Sequence, residues 1–260
     1  MTYVAGDLRD QLAYLGRDVV RAGLVVGSGG NLSARLPDGD DCWVTGSGTW
    51  LDRLDRASFV RVRIADGCPL PGGPSPDPEP AGAGLPDLGL AGTALDAAPH
   101  GQQAGPPHHQ QTDRPLPPTS ELALHLAVYR ARPDVSAVVH LHPQSMLLLD
   151  AIGVPIRLVS TDHAFYLRRV VTVPFAPPGG QRLAQSAADA AADGTNCLIL
   201  SRHGCSVLAG TVELAHKRAV NLEEAARLTY RALAVGRLDE LTPLPADYLD
   251  RLPDPDHGTI

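Results

Sequence analysis

The spacing of apolar residues predicts a succession of short helices and strands along the chain. Leu8, Leu12, Leu15 and Val19 recur at three- and four-residue intervals, so an amphipathic helix is predicted over residues 8–22. Residues 58–64 instead alternate apolar side chains with arginine, which indicates a half-buried strand. The same patterns predict strands at residues 42–45, 156–160, 170–174, 196–201 and 207–210, and helices at residues 144–152, 181–192 and 211–235.

Residues 119–143 form the stretch around which the rest of the chain is organised, and they read TSELALHLAVYRARPDVSAVVHLHP. The first half is predicted to be a helix capped by Ser120, because its apolar residues recur at helical spacing. Pro133 ends this helix, since proline disfavours helical geometry in the residue before it. Residues 135–141 are rich in β-branched side chains and are predicted to form a short buried strand.

His140 and His142 lie two residues apart at the end of that strand. Because side chains two apart leave the same face of a strand, both imidazoles point the same way. Such a pair is half of a zinc site, since a catalytic zinc takes three protein ligands and keeps one position open. The alternative is a pair of polar side chains that binds nothing. His203 ends another predicted strand, is followed by Gly204, and is the candidate third ligand.

Two turns rich in small residues flank short strands near the N-terminus. Residues 27–30 read GSGG and precede Asn31, and residues 46–49 read GSGT. Neither turn has the lysine of a Walker loop or the spacing of a dinucleotide fingerprint. Each turn alone is better explained as an ordinary tight turn. Together, their backbone amides and the Asn31 side chain favour a shared phosphate cradle.

Composition argues against several classes of protein. The net charge of −7 comes without a basic cluster, so nucleic acid is not expected as a partner. No apolar run reaches 18 residues and no signal-peptide core is present, so we expect no membrane span and a cytoplasmic location. The four cysteines show no C-x-x-C spacing, which disfavours a cysteine zinc site. Lys217 is the only lysine and lies on a predicted solvated helix, which disfavours Schiff-base chemistry.

Residues 66–118 differ in composition from the rest of the chain, since they hold 13 of its 24 prolines and many glycines. Such a segment buries too little apolar surface to offset its ordering entropy, so we predict a disordered or loosely packed insertion. The remaining roughly 210 residues are of ordinary domain size. Residues 1–260 are therefore predicted to be a single domain that carries this insertion.

Several motifs occur in an order that resembles the class II aldolase/adducin family. They are G-N-L-S-A-R, T-G-S-G, T-S-E, R-P-D-V-S-A-V-V-H-L-H-P, and H-G followed by a long helix. The resemblance covers nearly the whole chain outside residues 66–118. It implies an α/β fold, a three-layer α/β/α sandwich on a largely antiparallel central sheet, assembled as a homotetramer.

The resemblance also implies the roles of particular residues. The metal ligands, for one zinc or other divalent ion per chain, would be His140, His142 and His203. The catalytic acid/base would be Glu121. The substrate phosphate would be bound by Asn31, Ser47, Gly48, Thr119 and Ser120. A tyrosine near the C-terminal helix would protonate the leaving oxygen, and Tyr230 and Tyr248 are the candidates, with Tyr230 taken first.

The implied activity is a zinc-dependent aldolase that cleaves a ketose 1-phosphate to dihydroxyacetone phosphate and an aldehyde. A sugar-phosphate dehydratase, epimerase or decarboxylase on the same scaffold is the alternative, because each of these reactions proceeds through an enolate. A metal-free, adducin-like interaction module is a third possibility. The presence of three histidines and the glutamate argues against that third possibility.

Overall fold

The computed structural model describes residues 3–37, 39–71, 116–242, 244–249, 251–253 and 255–256. The described residues all belong to one unit, built from residues 1–71 and 116–260. Within this part of the chain, no helix is both long enough and apolar enough to cross a membrane.

A seven-stranded sheet forms the centre of the described unit. Its strands are β1 (Asn31–Arg35), β2 (Asp41–Thr45), β3 (Phe59–Arg63), β4 (Ala137–Leu141), β5 (Val170–Val173), β6 (Cys197–Leu200) and β7 (Gly204–Ala209). Their order across the sheet is β3-β2-β1-β4-β7-β6-β5. Only β5 and β6 pair in parallel, and every other neighbouring pair is antiparallel. The expectation of a largely antiparallel sheet is therefore confirmed.

Helices cover both faces of this sheet. They are α1 (Leu8–Arg21), α2 (Leu122–Ala131), α3 (Gln144–Ala151), α4 (Thr161–Leu167), α5 (Gln181–Ala191), α6 (Val212–Ala234) and α7 (Ala246–Leu249). Short 3₁₀ turns lie at Leu51–Arg53, Arg56–Ser58 and Leu238–Glu240. The apolar sides of α1 and α6 pack into one buried cluster, and those of α2 and α5 pack into another. The sandwich therefore has the three predicted layers.

The central strand β4 separates the two clusters through the alternation of its side chains. Ala137, Val139 and Leu141 pack towards α1 and α6, whereas Val138 packs towards α2 and α5. A fully buried side chain of this size contributes roughly 1.5–3 kcal/mol, so the register of β4 is strongly fixed. His140 follows Val138 by two residues and therefore leaves the sheet on the α2 face.

The structure corrects two predictions for local elements. Residues 156–160 do not form a strand, because the backbone N–H of Arg157 donates to Thr229 of α6 instead of to a neighbouring strand. The helix α4 was not predicted; its cap is Ser160, whose hydroxyl accepts from the N–H of His163.

Ser120 does not cap α2. The residue in the N-cap position is Glu121, which makes no side-chain capping bond. The hydroxyl of Thr119 accepts instead from the backbone N–H of Glu121, at 3.3 Å. The Glu121 carboxylate is therefore free to point away from its own helix terminus.

The ends of the predicted insertion are paired with the sheet region. The carbonyl of Cys68 accepts from the N–H of Arg63 at 2.9 Å, and that of Pro117 accepts from Ser47 at 2.8 Å. These contacts place the flanking segments beside β3 and the second small-residue turn. Residues 72–115, the greater part of the predicted insertion, lie outside the described residues.

Candidate metal and substrate site

The site is built where three strands of the sheet end on the α2 face. β1 and β4 are paired so that Asn31 lies opposite His140, and His142 follows the end of β4. His203 lies in the turn that joins β6 to β7. Glu121 joins them from the start of α2. The topology therefore gathers residues from four separate parts of the sequence.

The turn that carries His203 has an unusual backbone. Arg202 has a φ of 59°, in the left-handed region, and its N–H donates to a carboxylate oxygen of Asp150 at 2.7 Å. Gly204 follows, and a Cβ atom there would lie 2.4 Å from the carbonyl oxygen of Leu141. Only glycine permits this close approach, which brings His203 over the end of β4.

Glu121, His140, His142 and His203 form the cluster that we call the histidine–glutamate cluster. One ligand atom from each residue lies within 4.8 Å of every other. The three imidazole ring centres are 4.7–5.2 Å apart. The carboxylate of Glu121 reaches two of the rings, at 3.0 Å from Nε2 of His140 and 3.4 Å from Nε2 of His203.

The donor atoms of this cluster fit a divalent cation. Nδ1 of His140 donates to the carbonyl of Cys205 at 2.9 Å, so Nε2 is the nitrogen that faces the rest of the cluster. That nitrogen lies 3.0 Å from Nε2 of His142 and 3.0 Å from a carboxylate oxygen of Glu121. Such electron-rich atoms do not pack together unless they share a proton or a metal ion. Three imidazoles and a carboxylate are ligands that zinc accepts.

The electrostatics of the cluster favour metal-binding forms of its side chains. Burial lowers the pKa of His142 to about 4 and also lowers the pKa of His203, so both rings are neutral at pH 7. Burial alone would raise the pKa of Glu121. Hydrogen bonds and charge from His140, with a hydrogen bond from Asn31, outweigh that effect and lower it to about 2.

A cavity of about 260 Å³ opens beside the cluster. Its lining residues are Ser28, Gly29, Gly30, Asn31, Thr45, Gly46, Ser47, Gly48, Thr49, Thr119, Ser120, Glu121, His142, Pro178 and His203. Hydroxyl groups and glycines dominate this set, and none of the lining residues is a lysine or arginine. An anion in the cavity would therefore be held by hydroxyls and backbone amides, without a formal positive charge from a side chain.

The residues predicted to bind phosphate all line this cavity, and their role stays a prediction. The set is Asn31, Ser47, Gly48, Thr119 and Ser120. The structure adds Ser28 and Thr49, which belong to the same two glycine-containing turns and could have been found from that signal. It also adds Pro178, which lies far away in sequence and carried no signal.

Asn31 has a further role that its position in the motif did not reveal. Its amide nitrogen donates to Glu121 at 2.9 Å, and its amide oxygen lies 2.5 Å from Nε2 of His125. His125 is fully buried in α2 and was not predicted as a site residue. Both the amide nitrogen and the amide oxygen of Asn31 are therefore hydrogen-bonded inside the protein.

The two candidate tyrosines do not line the cavity. Tyr230 lies near the end of α6 with 40% of its surface exposed, and Tyr248 lies on α7. Their participation in catalysis stays a prediction.

The described residues therefore combine an α/β sandwich with three histidines and a glutamate beside a polar cavity. The chain belongs to the class II aldolase/adducin family: the family described as Class II Aldolase and Adducin N-terminal domain matches residues 10–230. It is an enzyme of that family, and its histidine–glutamate cluster could hold a metal ion.

Relatives with assigned activities match different shares of the chain. The 3-oxo-tetronate 4-phosphate decarboxylase of Escherichia coli is 29% identical over 251 residues, which cover 92% of this chain and 96% of the relative. The L-fuculose phosphate aldolase of Methanococcus vannielii is 33% identical over 113 residues, covering 44% of this chain and 61% of the relative.

Solved structures share the fold. YgbL of Klebsiella pneumoniae, described as an aldolase, epimerase or decarboxylase, has a TM-score of 0.70 at 25% identity, covering 95% of this chain and 97% of its own. An L-fuculose 1-phosphate aldolase has a TM-score of 0.69 at 21% identity, covering 95% and 94% of the two chains.

Proposed function

We propose that this protein is a zinc-dependent lyase that breaks a carbon–carbon bond next to the ketone of a phosphorylated, sugar-derived substrate. The first candidate reaction is decarboxylation of a 3-oxo sugar-acid 4-phosphate. The observation that carries the proposal is the histidine–glutamate cluster at the wall of a cavity lined by hydroxyls and glycines.

His140, His142 and His203 would hold the metal ion, and three imidazole ligands favour zinc over magnesium or calcium. When bound, the ion would act as a Lewis acid that stabilises negative charge on the substrate ketone oxygen. Ser47, Thr119 and the neighbouring amides would hold the phosphate, which orients the reacting carbons. The positions of His142, His203, Ser47 and Thr119 around one cavity support these roles, and His140 is fully buried with its Nε2 3.0 Å from that of His142.

Glu121 would move the proton that the reaction requires. In a 3-oxo acid, loss of the carboxylate as carbon dioxide leaves its bonding electrons on the adjacent carbon as an enediolate. That carbon then takes one proton, and for a four-carbon 3-oxo acid 4-phosphate the product is dihydroxyacetone phosphate. Glu121, at the cavity wall, would relay this proton from solvent, a role worth roughly 10²–10⁴ in rate.

Aldol cleavage of a ketose 1-phosphate, the activity that the family resemblance implies, is the second candidate. Cleavage gives the same enediolate, but the departing aldehyde also requires removal of a hydroxyl proton, and so a second group that transfers protons. Tyr230, predicted for the leaving oxygen, is not a lining residue. Similarity to the decarboxylase along 92% of the chain also supports the first reaction, while the partial match to the aldolase supports the second.

The test compares the two reactions in one purified, zinc-loaded protein. We expect a 3-oxo sugar-acid 4-phosphate to give carbon dioxide and dihydroxyacetone phosphate in equal amounts. Dihydroxyacetone phosphate and an aldehyde from ketose 1-phosphates, with no carbon dioxide from the acid, would establish aldol cleavage instead. No product from either substrate class would contradict the proposal.

Tyr230→Phe is the matched variant for this comparison. Decarboxylation needs no proton transfer at a leaving oxygen, so turnover should stay within about threefold. A loss of roughly 10²-fold or more in aldol cleavage, with unchanged zinc content, would place Tyr230 in the aldolase mechanism. A homotetramer, implied by the family resemblance, and a cytoplasmic location, expected from the sequence composition, stay predictions.

A further inference from the structure

We propose that His125 is a positioning residue that fixes the orientation of the Glu121 carboxylate through Asn31. The inference deepens the proposed function, because it concerns the group that would transfer the proton. His125 is the fourth residue of α2, is fully buried and does not line the cavity. It acts on the site only through a neighbouring side chain.

A continuous set of hydrogen bonds connects the interior of the sandwich to Glu121. Tyr129 lies 2.7 Å from the hydroxyl of Ser33, and that hydroxyl lies 2.6 Å from Nδ1 of His125. Nε2 of His125 lies 2.5 Å from the Asn31 amide oxygen, and the Asn31 amide nitrogen lies 2.9 Å from Glu121. We call Tyr129, Ser33, His125 and Asn31 the hydrogen-bond chain.

The chemistry of the end group sets the direction of every bond in this chain. A carboxylate only accepts, so Asn31 must present its NH₂ group to Glu121 and its oxygen to His125. His125 must then carry its proton on Nε2, which leaves Nδ1 to accept from the Ser33 hydroxyl. The phenol of Tyr129 donates to Ser33 in turn. All four bonds therefore donate towards Glu121.

Burial makes this arrangement rigid. His125 and Ser33 have no exposed surface, Tyr129 is 1% exposed and Asn31 is 5% exposed. Burial also lowers the pKa of His125 to about 3, which keeps the ring neutral and its two nitrogens distinct. A buried and fully satisfied polar set holds one arrangement, because each alternative leaves a polar group unpaired.

Asn31 connects the buried hydrogen-bond chain to the cavity, because it contacts both His125 and Glu121. Without a donor at His125, the buried amide oxygen of Asn31 would have no partner, and the amide would be free to shift away from Glu121 to find one. The carboxylate would then lose one of its few fixed contacts, and the proton would be delivered from a less defined position. The expected consequence is slower chemistry with unchanged substrate binding.

The test compares His125→Leu with His125→Gln in the zinc-loaded full chain. Leucine fills the space without a donor, whereas the glutamine amide can donate near the position of Nε2. We expect His125→Leu to lower kcat by about 10–100-fold with KM within threefold, and His125→Gln to recover at least fivefold of that loss. Zinc content should stay at one per chain in both variants.

Nitrogen-15 NMR of the substrate-free wild type supplies a readout that needs no turnover. We expect the His125 ring as the Nε2–H tautomer from pH 5 to 8. A Nδ1–H tautomer, or wild-type kcat in His125→Leu, would overturn the proposal. Equal decreases in kcat and melting temperature in both variants, with equal increases in KM, would show that His125 has only a structural role and would also overturn the proposal.

Failure of the proposed function gives a different result. A wild-type protein that turns over neither substrate class would remove the reaction, and the tautomer of His125 would still decide whether the hydrogen-bond chain points at Glu121. If His125→Leu does not fold, the tautomer and the kcat of His125→Gln, expected within about tenfold of wild type, decide the matter.

Discussion

Two polar groups of residues lie next to each other on the α2 face of the sheet, and they differ in how their atoms are paired. In the histidine–glutamate cluster, Oε1 of Glu121 and Nδ1 of His203 are buried without a hydrogen-bond partner among the described residues. In the hydrogen-bond chain, by contrast, each side chain from Tyr129 to Asn31 is hydrogen-bonded to the next. Unpaired buried atoms beside a cavity indicate a place for a ligand, whereas paired ones indicate a scaffold.

Glu121 belongs to both groups. One of its carboxylate oxygens accepts from Asn31, and the other faces His203. Two adjacent groups of side chains therefore have different roles. The histidine–glutamate cluster is arranged to bind a ligand, and the hydrogen-bond chain is arranged to keep its own geometry fixed. Substitutions on either side should have different signatures.

The largest effect is expected from His142→Ala, which removes one of the three proposed ligands. The variant should lose its zinc and more than about 10³-fold of its turnover, because a metal with two remaining imidazoles is weakly held. Metal content per chain by mass spectrometry and kcat are the measurements.

His216→Ala is the control for this variant. His216 lies on α6, on the opposite face of the sheet, where it contacts Tyr3 and Asp18. The control should keep one zinc per chain and most of its activity. Stoichiometric zinc in His142→Ala would mean that the cluster is not the metal site.

The next effect is expected from Glu121→Gln, which keeps the shape of the side chain and removes its charge. Zinc should remain bound by the three histidines while turnover falls by about 10²–10⁴-fold. Incorporation of solvent deuterium at the protonated carbon of the product, followed by NMR, measures the step directly. Turnover within threefold of wild type would assign the proton transfer to another group.

The local patterns of the sequence predicted much of this fold. Helical patterns located α1 and α6, and the two-residue spacing of His140 and His142 at the end of β4 predicted that both point to one face. The strand expected at residues 156–160 did not form, because Thr229, far away in sequence, satisfies the backbone of Arg157. Local periodicity carries no information about such a partner.

The same limit applies to the site. The glycine-rich turns and the H-x-H pair were recognised as parts of a site from local sequence alone, and residues of each line the cavity. The link from His125 to Glu121 could not be predicted, because it passes through Asn31 of β1, 94 residues away in sequence from His125. From the sequence alone, a buried histidine on a helix face is best explained as part of the core. The pairing of β1 with β4, which places Asn31 beside the site, is needed to recognise its role.

The smallest expected effect concerns stability in the zinc-free protein as the pH falls from 7 to 5. Burial lowers the folded-state pKa of His125 to about 3, whereas the unfolded chain has a histidine pKa near 6.5. The unfolded state therefore binds the extra proton, and stability falls as the pH drops below 6.5. Over this range His125 should cost about 2 kcal/mol, to which His142 and His203 add in the same direction. Urea unfolding at both pH values should show a smaller pH difference for His125→Gln than for the wild type, whatever the absolute stability of the variant. If the stability of both proteins changed equally between the two pH values, His125 would bind its proton equally in the folded and unfolded states. The ring would then be protonated at pH 5 in the folded protein, which is incompatible with a neutral ring that accepts from Ser33.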